Sequence, residues 1–221
     1  MRDTITKKEL DHFLEVLKRL IMDIEICSSN LESIIKAIEE NSLKISNIEK
    51  FLSHYVYLSY SYCTISIYKM FKPEEKRSFQ KLFNKLSEFR YDSELSELLQ
   101  KNNLAENCND LFVSKLDVQI SIKELGNFIS TAQILIDKIL ARRNTFHAHY
   151  DPAKTDAPES LADLLMIKEI AKKVYDKLSG GFYDKTFLFT NYYWSVDSVI
   201  NDSIDLYDIY KKMEDDLERL V

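Results

Sequence analysis

The chain has 221 residues, of which 45% are apolar and 12% aromatic, and it contains only three glycines and three prolines. Because so few residues favour turns and so many can form a core, this composition is typical of an all-α protein and not of a disordered one. The formal net charge of −6 argues against a general nucleic-acid coat, because nonspecific phosphate binding needs a broad basic surface; a small basic site stays compatible with it.

The first half of the chain predicts helices separated by short polar breaks. In chain order they run from about Thr6 to Cys27, from Ser29 to Glu40, from the break at Asn41-Ser42 to Phe71, from Glu74 to Arg90 and from Glu94 to Gln100. Ser29-x-x-Glu32 has the pattern of a capping box, Pro73 suits a first helical position, and Asp92-Ser93 caps the short helix.

The third of these helices carries no formal charge between Phe51 and Tyr68. Its five tyrosines, four serines, threonine and histidine are a high polar load for lipid, which argues against a membrane span. Apolar residues surround the helix on all sides, so we expect a central buried helix. Accordingly, His54 is expected in the core and His12 on the surface.

After a polar loop from Lys101 to Asn109, apolar residues spaced by three and four predict a long amphipathic helix from about Leu125. Pro152 should end it near His149 or Tyr150. A helix from Asp156-x-Pro158-Glu159 to Leu178, an aromatic segment from Phe182 to Trp194 and a last helix from Ser195 or Asp197 to Leu220 complete the chain. We therefore predict a single domain over 1–221, a bundle of roughly six to eight helices.

The residues whose side chains are best suited to catalysis lie at the end of the long amphipathic helix. They are Arg142, Arg143, Asn144, His147, His149 and Asp151. Continuing the apolar stripe of Ile129 and Ile136 by seven residues reaches Arg143. Arginine is almost never buried without a partner, so this face should open onto a groove, an interface or an anion. Arginine binds phosphate and histidine moves protons near neutral pH. Together they suffice to cleave RNA without a metal.

The two histidines differ in geometry. His147 lies four residues after Arg143, on the same helical face. His149 reaches that face only where the last turn loosens or ends, for which Pro152 provides a reason. Asp151 could orient either imidazole. A purely structural alternative is that these basic residues cap the helix C-terminus, where they meet its dipole favourably.

A metal site is not indicated, because no cysteine lies near the histidines and His-x-His alone is a weak signal. The absence of a glycine-rich phosphate loop argues against a nucleotide-hydrolysing domain, so no cofactor is expected. Cys27, Cys63 and Cys108 are far apart, without a Cys-x-x-Cys pair, and the first residues lack an apolar signal region. We expect a cytoplasmic protein.

The pattern Arg143-Asn144-x-x-x-Ala148-His149-x-Asp151 resembles the signature of the HEPN superfamily, and its Ala-His-x-Asp end is most similar to the abortive-infection AbiU-like branch. The resemblance implies an all-α bundle with long antiparallel helices. It also implies a homodimer that brings two motifs into one cleft, and metal-independent ribonuclease activity as a toxin or in phage defence.

Carried over to this chain, the resemblance implies that Arg143 binds the scissile phosphate, that Asn144 braces the site and that His149 transfers the proton. Arg142, His147 and Asp151 would support them. The resemblance also admits a non-catalytic module that dimerises or binds a nucleotidyltransferase-type antitoxin or another protein.

Two further patterns have a structural and a functional interpretation. Lys168, Lys172, Lys173 and Lys177 are spaced as one helix face, which is either a solvated surface or a track for the RNA substrate. The aromatic residues between Phe182 and Trp194 either seal the bundle or the dimer, or stack on bases.

Overall fold

The computed structural model describes residues 3–105, 110–143, 160–190 and 193–218. Within these ranges the chain is all-α, as predicted, with eight helices and one two-stranded ladder. In chain order the elements are β1 (Thr4–Ile5), α1 (Lys7–Asn41), a 3₁₀ turn (Ser46–Ile48), α2 (Glu49–Phe71), α3 (Phe79–Glu88), β2 (Arg90–Tyr91), α4 (Ser93–Asn103), α5 (Lys115–Ser130), α6 (Gln133–Arg142), α7 (Leu161–Tyr183) and α8 (Asp197–Glu218).

The two long helices α1 and α2 form the centre of the bundle and run antiparallel. Asn30 contacts Tyr55 and Cys27 contacts Cys63, so later residues of α2 meet earlier residues of α1. Helices α3 to α7 enclose the main core around them, and a smaller apolar cluster joins α1, the start of α2 and α8. No helix in the described part of the chain is both long and apolar enough to span a membrane.

Helix α1 is continuous, and the predicted break and capping box at Ser29 are wrong. Ser28 and Asn30, on either side of the predicted break, are buried inside the helix and have partners. The Asn30 amide donates to the Tyr55 hydroxyl at 2.6 Å and to the Trp194 carbonyl at 2.8 Å. Its oxygen accepts from the Val196 amide at 3.2 Å. These partners, distant in sequence, satisfy a polar side chain that would otherwise cost stability in a core.

Helix α2 is not buried on all sides, which corrects the second expectation. Its C-terminal half lies in the core, but Phe51, Tyr57, Leu58 and Tyr62 are about half exposed. His54 is exposed as well, so its assignment to the core was wrong, whereas His12 is exposed as predicted. The uncharged sequence of α2 thus covers both a core face and an open aromatic face.

Helix boundaries in the middle of the chain follow local caps more than apolar spacing. The segment after Pro73 is a turn, and α3 begins only where the Ser78 hydroxyl accepts from the Lys81 amide. The predicted long helix is two helices, because α5 ends at Ser130 and α6 starts at Gln133. The predicted end of that helix near His149 lies outside the described residues.

The boundaries of α7 are also shifted. It starts at Leu161, after a capping box formed by Ser160 and Asp163. It continues through Gly180-Gly181, which we expected to stop it, and ends at Asp184, whose φ is 52°. Gly181 is needed inside the helix, since a Cβ there would overlap the buried Phe112 ring.

Candidate functional site

Arg143 directly follows α6, a helix that packs against α2 and buries Ile136 and Ile139 in the main core. The guanidinium carbon of Arg143 lies 4.2 Å from the centroid of the Tyr68 ring. Tyr68 is only 7% exposed, so its ring is fixed by the core and offers a rigid platform. A cation over an aromatic face at this distance is attracted by the ring quadrupole. Arg143 therefore lies against α2; that this face opens onto a groove, an interface or an anion stays a prediction.

A second cation occupies the same ring. The Lys72 ammonium lies 4.8 Å from the Tyr68 centroid, one turn after Tyr68 on α2. Its hydrogen bond with the Tyr68 hydroxyl raises the pKa of Lys72, and the positive charge of Arg143 acts in the opposite direction. The two cations are therefore neighbours at the Tyr68 ring. The two cations at the Tyr68 ring form a basic spot, with Glu74 as an acidic neighbour that also raises the pKa of Lys72; cations of this kind bind phosphate.

The segment that carries the rest of the motif leaves from this spot. Asn144, His147, His149 and Asp151 lie outside the described residues, so their placement relative to Arg143 stays a prediction. The Lys138 ammonium of α6 lies 3.6 Å from the Asp163 carboxylate in the first turn of α7, so α6 and the start of α7 are neighbours.

The first turn of α7 is itself well fixed. The Asp163 carboxylate accepts from the Ser160 amide at 3.0 Å, and the Ser160 hydroxyl accepts from the Asp163 amide at 3.1 Å. The hydrogen bond from the Ser160 amide is the main reason why the pKa of Asp163 is lowered. The positive end of the α7 dipole adds to the basic character of this end of the molecule.

The basic residues of α7 do not form one surface, which corrects the proposed RNA track. Lys168 is 6% exposed, and its ammonium lies 3.2 Å from the Glu25 carboxylate of α1. Lys172 is half-buried and lies 3.7 Å from the same carboxylate. Only Lys173 and Lys177 are exposed. Lys168 is thus an interior ion-pair residue that links α7 to α1, not an RNA contact.

The aromatic segment has a buried and an exposed part. Phe182 and Phe189 are buried, and Phe189 stacks edge-on against Tyr175 of α7. Tyr193 and Trp194 are 88% and 69% exposed. The first part seals the bundle, as expected for a structural role, whereas the rings of Tyr193 and Trp194 lie at the surface.

Several features of the site were not predicted. Tyr68 and Lys72 had no signal beyond their spacing of four at the end of α2. The contact between Cys27 and Cys63 was also unexpected; it and burial raise the pKa of the Cys63 thiol. Among the residues that the structure describes, no three His, Cys, Asp or Glu side chains are grouped as metal ligands.

Arg142, the last residue of α6, is half-buried beside Arg143. The described part of the site is therefore a pair of adjacent arginines, a core-anchored tyrosine and a lysine at the junction of α2 and α6. No protein-family model, no curated protein and no solved structure matches this chain.

Proposed function

We propose that the chain is a metal-independent endoribonuclease of the HEPN type, acting as a toxin or in phage defence. The observation that carries the proposal is the position of Arg143. It is held on the Tyr68 ring beside Lys72, immediately before the Asn144-to-His149 part of the motif. Anchoring a phosphate-binding guanidinium on a rigid platform is how positioning contributes to catalysis.

The chemistry follows from the residue types. Arg143 binds the scissile phosphate and neutralises the charge that develops on its oxygens. The RNA 2′-hydroxyl attacks the phosphorus and gives its proton to His149, while the bond to the 5′-oxygen breaks and the departing oxygen takes a proton from water. The products are a 5′-hydroxyl and a 2′,3′-cyclic phosphate, which one water molecule hydrolyses to a 3′-phosphate. Asn144 braces the site, and Arg142, His147 and Asp151 support it.

The acidic balance of the chain favours a composite site. A single copy presents only a small basic spot against a net charge of −6. A homodimer with two Arg143-to-Asp151 segments near its axis would double the local positive charge where RNA binds. We therefore propose that the active form is such a homodimer.

The proposal is tested by RNA cleavage in excess EDTA, with analysis of the product ends. We expect full activity and cyclic-phosphate or 3′-phosphate ends, and we expect Arg143→Ala to remove the activity. Arg19→Ala is a matched control, because Arg19 is a well-exposed arginine of α1, and it should cleave like the unmodified chain. Loss of activity on chelation, with recovery in magnesium or manganese, would contradict the mechanism.

The second candidate is a non-catalytic module that binds a protein antitoxin or another protein. The open face of α2, with Phe51, Tyr57, Leu58 and Tyr62 about half exposed, favours this reading, since such patches mark interaction sites. The two candidates are separated by the cleavage assay. The non-catalytic module shows no cleavage of any RNA, and Arg143→Ala then changes nothing.

A further inference from the structure

Helix α8 leaves the body of the protein after its second turn. Ile200 and Ser203 are buried against α1 and the turn before α2, but every residue from Asp205 to Glu218 is exposed. The last described tie to the body is the ion pair between Lys44 and Asp208, at 2.8 Å. The exposed stretch of 14 residues is about 21 Å long. A helix of that length is marginal in water unless something packs on it.

This exposed stretch carries an apolar stripe. Leu206, Tyr210, Met213 and Leu217 follow each other at spacings of four, three and four. They are 48%, 69%, 56% and 64% exposed. The spacing is that of the seam of a two-stranded coiled coil, in which the stripe faces a partner helix.

We propose that this stripe pairs antiparallel with the same stripe of a second copy of the chain. The spacing of four, three and four reads the same in both directions. A two-fold axis between Tyr210 and Met213 therefore sets Leu206 against Leu217 of the second copy and Tyr210 against Met213 of the second copy. Such self-complementarity is what an isologous contact requires.

The antiparallel direction follows from what covers the start of the helix. Ser203, which continues the stripe toward the N-terminus, is already buried, and its hydroxyl contacts the Lys44 carbonyl and the Asn47 side chain. A parallel pair would bring two such covered segments onto one another and drive the bodies together. In the antiparallel pair, the body of each copy lies beyond the C-terminal end of the exposed stretch of the other copy.

Charge is compatible with this register. Glu214 then lies near Tyr207 of the second copy, and Asp216 lies near Ile209 of the second copy, so no acidic residues of the flanks face each other. Lys211 already lies 3.0 Å from Glu214 and 3.9 Å from Asp215 within its own helix. The acidic surface of α8 is thereby partly balanced before pairing.

The available area fits a weak dimer. Leu206, Tyr207, Ile209, Tyr210, Met213 and Leu217 are between 36% and 69% exposed. At about 200 Å² for a large side chain they offer roughly 650 Å² on each copy. A stable interface of standard size buries about 800 Å² per partner. We expect dissociation in the micromolar range.

This contact is separate from the proposed active site and does not depend on it. The exposed stretch of α8 begins beside Lys44, before the start of α2, whereas Arg143 contacts Tyr68 near its end. Tyr68 is nineteen residues after Glu49 in α2, a distance of about 28 Å along the helix. Pairing through α8 therefore leaves the two Arg143 residues far from the α8 axis. Together with a dimer at Arg143, it would build a tetramer.

The first experiment is the molar mass of the full chain by light scattering at tens of micromolar, for the unmodified chain, Tyr210→Glu and Leu217→Glu. Both variants should halve the mass, whether or not a second contact exists at Arg143. Because the α8 contact is separate from the proposed active site, both variants should cleave RNA at the rate of the unmodified chain. Leu104→Glu, at an equally apolar residue that is 82% exposed, should keep the full mass. An unchanged mass in both α8 variants would overturn the proposal.

A cross-linking experiment tests the direction independently of affinity. A mixture of Leu206→Cys and Leu217→Cys chains should give a disulfide-linked heterodimer under mild oxidation, above the background set by the unmodified chain. Each variant alone should stay at that background. Efficient cross-linking of Leu206→Cys with itself would show a parallel pair and refute the antiparallel register.

Discussion

Replacing Tyr68 by leucine removes the platform under Arg143 and Lys72 while keeping an apolar side chain in the core. The cation–ring distances are 4.2 and 4.8 Å, and Tyr68 is 7% exposed. A cation–π contact contributes about 0.5–1 kcal/mol at an exposed site and about 2 kcal/mol when desolvated. If that energy orients Arg143 toward the phosphate, a loss of about 1–2 kcal/mol corresponds to roughly a 5- to 30-fold lower kcat/KM.

Tyr68→Phe is the matched control, because it keeps the ring and loses only the hydroxyl that bonds Lys72. It should cleave RNA within about two-fold of the unmodified chain, since an exposed lysine contact contributes little. Both variants should be measured by single-turnover cleavage, with thermal melting to separate orientation from unfolding. If Tyr68→Leu cleaves at full rate while Arg143→Ala is inactive, the ring does not orient Arg143 and the reasoning fails.

Three predictions concern stability. Gly181→Ala should destabilise the fold by about 1–3 kcal/mol in urea titration, because its Cβ would overlap the Phe112 ring. Gly180→Ala, with no atom within 4 Å of its Cβ, should stabilise α7 by up to about 1 kcal/mol; equal effects would refute the packing argument. Lys168→Ala should cost about 1–3 kcal/mol, since the Glu25 carboxylate loses its nearer cation and keeps only Lys172 at 3.7 Å, and Lys168→Met with Glu25→Leu should recover most of that loss; no recovery would count against an ion-pair role. Ser160→Ala should cost about 1 kcal/mol at neutral pH. Because the hydrogen bond from the Ser160 backbone amide lowers the pKa of Asp163 in the fold, the stability that the Asp163 carboxylate contributes is present above its unfolded pKa and is lost as the pH falls below about 4; a cost of Asp163→Asn that stays constant down to pH 3 would be inconsistent with this half of the cap.

The sequence predicted the fold class, since this depends on composition and apolar spacing. The predictions from the sequence were wrong where contacts between residues far apart in the chain determine the structure. Ser29 did not start a helix, because Tyr55 and Trp194 satisfy the buried Asn30. Lys168 has the same helical spacing as the exposed lysines of α7, but it is buried in an ion pair with Glu25 of α1. Tertiary partners of this kind leave no local pattern.

The open face of α2 and the exposed stretch of α8 show a second limit of structure prediction from sequence patterns. An apolar residue indicates that something should cover it, but not whether the cover is the same chain. Helix α2 was expected to be buried all round, and half of it faces outward. Surfaces of this type become informative only when the fold shows which faces remain open.

The most direct test of the central claim is the single-turnover rate of RNA cleavage in EDTA for His149→Ala beside His147→Ala. Helical spacing alone favours His147, and the family pattern favours His149. We expect His149→Ala to lose about 100- to 10,000-fold in rate, as for a positioned proton-transfer group, and His147→Ala to lose far less, with both variants folded. An inactive His147→Ala beside a fully active His149→Ala would reverse the assignment. Full activity in both, and in Arg143→Ala, would contradict the ribonuclease account itself.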